Sequence, residues 1–153
     1  MTPKEFFELA KKNGAEMVDL KFVDLLGTWQ HCTFPVDFLD EKALEEGLGF
    51  DGSSIRGWKP IHQSDMMAVP DLATVALDAF FAKPTLSVIA DIVDPLTREE
   101  YNRDPRNIAK KAAEFTKKTG IADTAYYGPE PEFFIFDEVR YEQNQHTGMY
   151  TID

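Results

Sequence analysis

Cysteine is nearly absent from this 153-residue chain: Cys32 stands alone. An internal disulfide is therefore excluded, and the usage fits a reducing cytoplasm. Basic residues are also scarce, with 16 Lys and Arg against 27 Asp and Glu, a net charge of −11. Such a surface repels a phosphate backbone, so nucleic acid is excluded as a partner. No apolar run approaches membrane-spanning length, and the N-terminus is charged and amphipathic, unlike a secretory signal. What remains is a globular chain with 43% hydrophobic and 12% aromatic residues, ample for a real core. The length fits one domain, or one small domain and part of another.

The opening "TPKEFFELAKKNG" predicts a short helix. Thr2 and Glu5 have the spacing of a capping box, Pro3 suits the first turn, and Asn13-Gly14 ends it. Val18, Leu20 and Phe22 then alternate with Asp19 and Lys21, the period of a half-buried strand. A glycine turn follows in "DLLGT" and the pattern resumes in "WQHCTF", so residues 18–34 read as a hairpin. His31 on its second strand reads as a packed or surface residue, and Cys32 as a packing one. "DEKALEEG" is a capped helical turn or two, and residues 49–65 form a long loop. Long loops in compact domains tend to carry function. "MMAVPD" and "PTLSVIADIVDP" supply further strands, the second apolar enough to be central. Together these elements make an α+β unit of about a hundred residues.

A second segment opens at "RDPRNIAKKAAEFTKKTG", a helix capped by Asp104 with Pro105 in its first turn. Ile108, Ala112 and Phe115 share one face, and Gly120 stops it. Strands are expected through Ala125-Tyr126 and "EFFIF", followed by the polar stretch "EVRYEQNQHTGMYTID". One helix and two strands cannot close a core, so the sequence reads as entering a second domain without completing it.

Two short stretches carry chemistry. In "YYGPEPEFFIFD", strand alternation sets Glu130 and Glu132 on one face, about 6.6 Å apart at Cα. Carboxylates about 7 Å apart repel by roughly 2.4 kcal/mol at an effective dielectric of 20. Residues 121–153 carry seven acidic side chains against one basic, Arg140, so nothing local compensates. A partly buried pair would protonate, or stay ionised on a divalent cation. Pro129 and Pro131 remove two backbone donors and place the stretch at a rim. Hard oxygen donors suit Mg²⁺ or Mn²⁺; the alternative is a solvated polar face. His146 lies in a polar stretch and is left out of the site. In "FDGSSIRGW", Gly52 allows a close backbone approach, and Ser53 and Ser54 can bond the local backbone. Asp51 is thus held on a structured turn, either to accept turn bonds or to hold a small cation or a proton. Trp58 in the same loop suggests an interface.

Taken together, "FDGSSIRGW…SDM", "RDPRNIAKKA" and "GIADT…YYGPEPEFFIFD" resemble bacterial type I glutamine synthetase over essentially the whole chain and in the family's order. The resemblance implies a β-grasp domain over residues 1–100 and the start of a catalytic domain over 101–153. It implies a cytoplasmic ligase joining ammonia to glutamate with ATP through γ-glutamyl phosphate, using Mg²⁺ or Mn²⁺. Twelve subunits in two stacked hexameric rings would share active sites between neighbours. Carried over by motif, Glu132 would hold the metal near glutamate and ammonium, and Glu130 the metal bridging the ATP phosphates. Asp51 would bind ammonium in the adjoining subunit's site and help deprotonate it. Asp65 matches a second acidic position near that site, and Trp58 would border it. Ala68 departs from the larger apolar residue expected after "SDMM", which implies local repacking. The family's catalytic domain continues well past Asp153, so these 153 residues are expected to be inactive alone. The competing expectation is a short non-catalytic β-grasp protein that binds synthetase rings.

Overall fold

The computed structural model describes residues 1–153. Helix α1 (Pro3–Asn13) begins on the capping box its sequence prescribes. The Thr2 hydroxyl accepts from the Glu5 amide, and the Glu5 carboxylate accepts from the Thr2 amide at 2.7 Å. Gly14 ends the helix in the left-handed region at φ 60°. Thr2→Ala breaks the reciprocal cap, and urea melts are expected to show a loss of about 1 kcal/mol.

Strands β1 (Met17–Val23) and β2 (Trp29–Pro35) form the expected antiparallel hairpin. Helix α2 (Glu41–Glu46), capped by Asp40, leads into β3 (Leu48–Asp51), which pairs antiparallel with β4 (Asp65–Pro70). A short strand β5 (Ala76–Asp78) and the long β6 (Thr85–Val93) complete the sheet. Its order is β2-β1-β6-β4-β3, with β5 pairing with the start of β6. β6 is central, as its apolar run predicts. It runs parallel to β1 and antiparallel to β4 and β5. The core lies between one face of this sheet and the helices. Val18, Leu20 and Phe22 of β1, Leu86, Val88, Ala90 and Ile92 of β6, and Met66 and Ala68 of β4 pack with Phe6, Ala10 and Leu44. Ala68 sits buried opposite Leu48 and Ile92 in the ladder.

Helix α3 (Pro105–Lys118) is capped by Asp104, whose carboxylate also accepts from the Ile92 amide of β6. Arg106 bonds Asp71 and Asp91, and Lys110 bonds Asp91 and Glu100. The start of α3 is thereby moored to the sheet. Its Ile108, Ala112 and Phe115 face solvent.

Three sequence expectations need correction here. Residues 121–136 form no strand, either at Ala125-Tyr126 or through "EFFIF". β propensity needs a neighbouring edge to bond, and this stretch has none. The polar tail instead folds as a hairpin, β7 (Val139–Gln143) with β8 (Gly148–Ile152). Its turn is closed by the Asn144 carboxamide, which accepts from the His146 and Thr147 amides at 2.8 Å. Last, residues 49–65 are not a featureless loop, because they contain most of β3 and two single 3₁₀ turns, Gly52–Ser54 and Ile61–Gln63. No helix is long and apolar enough to cross a membrane.

Candidate functional site

Register brings two of the expected site residues together. Asp51 and Asp65 are cross-strand partners at the loop end of the β3–β4 ladder. The chain leaves Asp51 through Gly52, whose amide donates to the Ser64 carbonyl at 2.7 Å. A Cβ on residue 52 would lie 2.3 Å from Met66 Sδ and 3.0 Å from the Ser64 oxygen. Only glycine allows that approach. Gly52→Ala is expected to lower stability by about 1–3 kcal/mol, the cost of overpacking, read from the denaturant midpoint.

The Asp51 carboxylate is fixed by its own turn. Oδ1 accepts from the Ser53 amide at 2.8 Å and from the Ser53 hydroxyl at 2.6 Å. The Ser53 hydroxyl first, then its amide, with help from the Ser64 hydroxyl, hold Asp51 below the ordinary aspartate range. The turn-bond reading of Asp51 is therefore correct, with both Ser53 bonds falling on Oδ1. Asp51 borders a cleft of about 320 Å³ with Gln30, His31, Cys32 and Ser54. Asp65 borders a neighbouring one of about 500 Å³ with Lys59, His62 and Asp94.

Trp58 is not the exposed aromatic that its loop suggests. It is 4% exposed, packed on Phe22, Phe50 and Tyr101 with ring centroids 5.4, 6.3 and 5.2 Å away. The indole closes the base of the loop that begins at Asp51.

Glu130 and Glu132 stand in the exposed stretch 121–136, which forms no helix or strand and lies outside both clefts. Their oxygens have the right chemistry for a hard divalent cation, but the donor number falls short. No group of three His, Cys, Asp or Glu side chains that could hold a metal converges anywhere in the chain. The residues present do not by themselves make a metal site.

A polar cluster on the solvent side of the sheet escaped the sequence reading. Asp19 is 0% exposed, and its Oδ1 is bonded by His31 Nδ1 at 2.7 Å and Thr33 Oγ1 at 2.6 Å. The hairpin register held the signal, since it pairs Asp19 with Thr33 and Lys21 with His31. The reading of His31 as a surface or packed residue agrees with this placement. On the same hairpin, Asp24 accepts from the Gln30 side chain and from the Leu26 and Thr28 amides of its turn. The Gln30 bond has the largest influence and lowers its pKa; burial, next in size, opposes it, and the turn amides add to the lowering. A lowered carboxylate contributes stability that is fully present above the unfolded value, near 3.9, and is lost as pH falls through the folded value. Asp24→Asn is expected to flatten the acid limb of stability against pH.

The Asp-Gly-Ser-Ser turn and its paired aspartates lie within a region that a family model matches. The model described as "Glutamine synthetase, beta-Grasp domain" covers residues 14–95, and that for the catalytic domain of the same family covers 102–153. The chain belongs to the glutamine synthetase family. It is 52% identical over 153 residues to the glutamine synthetase of Methylococcus capsulatus, covering 100% of this chain and 33% of that protein. The Azorhizobium caulinodans glutamine synthetase is 48% identical over 152 residues, covering 99% of this chain and 32% of that protein. The cryo-EM structure of Plasmodium falciparum glutamine synthetase superposes with a TM-score of 0.74 at 31% identity, over 99% of this chain and 29% of the other. The chain thus spans about a third of the length of these glutamine synthetases.

Proposed function

We propose that this chain supplies the ammonium-handling edge and two metal-ligating carboxylates of a cytoplasmic glutamine synthetase that joins ammonia to glutamate with ATP. The observation that carries the reading is the Asp51 turn. An exposed carboxylate oriented by Ser53 and held ionised is suited to grip a small hydrogen-bonding cation. Ammonium held there gives up a proton to the carboxylate. The resulting ammonia attacks the γ-carbonyl of glutamyl phosphate, the new C–N bond forms, and the C–O bond to phosphate breaks. Asp65, cross-strand to Asp51, adds negative charge at the same edge. Trp58 acts from within, by holding the loop.

Residues 101–153 enter as the beginning of the catalytic portion. Exposed Ile108, Phe115, Tyr126, Tyr127, Phe133 and Phe134 expose more apolar surface than a finished fold leaves bare. That surface suits packing against further catalytic-domain structure. There Glu130 and Glu132 would join other oxygen donors on Mg²⁺ or Mn²⁺, Glu130 on the ion that meets ATP. The ring assembly of two hexamers belongs to the same reading, with the Asp51 edge completing a neighbour's site.

Fusing this chain to the remaining two thirds of the 52%-identical Methylococcus capsulatus protein tests the proposal. The fusion is expected to form glutamine from glutamate, ammonium and ATP, while the 153-residue polypeptide forms none. A folded fusion without that activity refutes it.

A further inference from the structure

The loop that presents Asp51 is secured by residues distant from it in sequence. The Tyr101 hydroxyl donates to the Trp58 carbonyl at 2.8 Å. The Arg103 guanidinium donates to the Gly57 carbonyl at 2.5 Å and to the Trp58 carbonyl at 3.2 Å. The Tyr101 ring packs on the Trp58 indole, and Lys59 Nζ lies over the same Tyr101 ring, 5.4 Å from its centroid. The indole N–H is buried with no hydrogen-bond partner. Ring stacking and the two carbonyls, not that N–H, therefore fix the residue. From Trp58 the constraint runs back to Asp51 by two routes. One is a ladder of turn bonds, Trp58 N–H to the Ile55 carbonyl and Ile55 N–H to the Gly52 carbonyl. The other is the contact of Trp58 with Phe50, the residue before Asp51.

Residues 101–103 sit between the sheet and α3. Tyr101 is bound on both sides, its amide donating to Ile92 of β6 and its carbonyl accepting from the Asn107 side chain of α3. Tyr101 thus joins β6, α3 and the loop, beside the ties that Asp104, Arg106 and Lys110 make between α3 and the sheet.

We propose that Tyr101 and Arg103 are positioning residues for Asp51, latching the base of its loop to the junction between the sheet and α3. Their part in ammonium use rests on the function proposed above; the latch itself does not. The structural arm uses the 153-residue chain, comparing Tyr101→Phe, Arg103→Gln and Arg103→Lys by amide hydrogen exchange and by titration of the Asp51 carboxyl carbon. Tyr101→Phe keeps the ring and removes only the hydroxyl, and Arg103→Lys keeps a donor.

Loss of one ordinary hydrogen bond is expected to speed exchange at Gly52, Ser53 and Ile55 by about fivefold, with Val88 in β6 unchanged. The Asp51 titration should move up toward the ordinary aspartate range, and Arg103→Lys should recover part of both effects. Unchanged loop exchange and Asp51 titration overturns the proposal. So does acceleration of Val88 by the same factor, which marks a general loss of stability. In the fusion enzyme the same variants are expected to raise KM for ammonium several-fold with KM for ATP unchanged. If Asp51→Asn leaves ammonium use intact, the functional reading fails while the exchange data still judge the latch.

Discussion

Leu86→Ala is expected to destabilise the chain by about 2–5 kcal/mol, the range for emptying a well-packed leucine site. Leu86 is 0% exposed on the central strand β6, opposite Val18 of β1 and Leu77 of β5. Strands on both sides keep its neighbours from collapsing into the space, so the cavity persists and the loss belongs in the upper part of that range. A matched control is Phe134→Ala. Phe134 is larger, but it is 85% exposed and touches little beyond Phe136, so its removal should stay within about 0.5 kcal/mol. Urea melts of the two variants measure the contrast. Equal shifts would mean that residues 121–136 are packed against the sheet rather than exposed.

That contrast also marks where the sequence is readable. Thr2 with Glu5, and Asp104 with Pro105, announce their helices because caps are local: donor and acceptor lie within one turn. The β1 alternation is legible because one face is buried all along the strand. "EFFIF" carries a strand's composition and forms none, since a strand is a relation to an edge and no edge lies beside it. The β7–β8 hairpin was missed for the opposite reason. Its Val139, Tyr141, Met149 and Ile152 are diluted by polar residues, and the deciding bonds come from the single side chain of Asn144. At the site, the Ser53 bonds to Asp51 were legible as turn chemistry. The pairing of Asp51 with Asp65 was not, because it follows from a register set by the whole β3–β4 ladder. The burial of Trp58 likewise depends on Phe22 and Tyr101, which lie far from it in sequence on either side.

Asp51→Asn in the fusion enzyme is expected to lower kcat/KM for ammonium by on the order of 10²- to 10⁴-fold, the range for losing a positioned proton acceptor. The carboxamide keeps the size and can still accept from Ser53, so the turn should survive and circular dichroism should not change. What it lacks is the negative charge and the basic oxygen to which the proposed function assigns ammonium binding and proton transfer. The pH dependence tests both roles together, since neutral ammonia needs neither the charge nor the acceptor. In the parent, Ser53 and Ser64 hold the Asp51 pKa down, so the carboxylate stays ionised to a pH below the ordinary aspartate range. Raising pH leaves the parent's Asp51 unchanged but converts ammonium to ammonia in solution, which needs no acceptor. The defect of Asp51→Asn should therefore shrink as pH rises toward the ammonium pKa. A defect of constant size across that range would assign Asp51 to binding geometry alone and remove its role as proton acceptor.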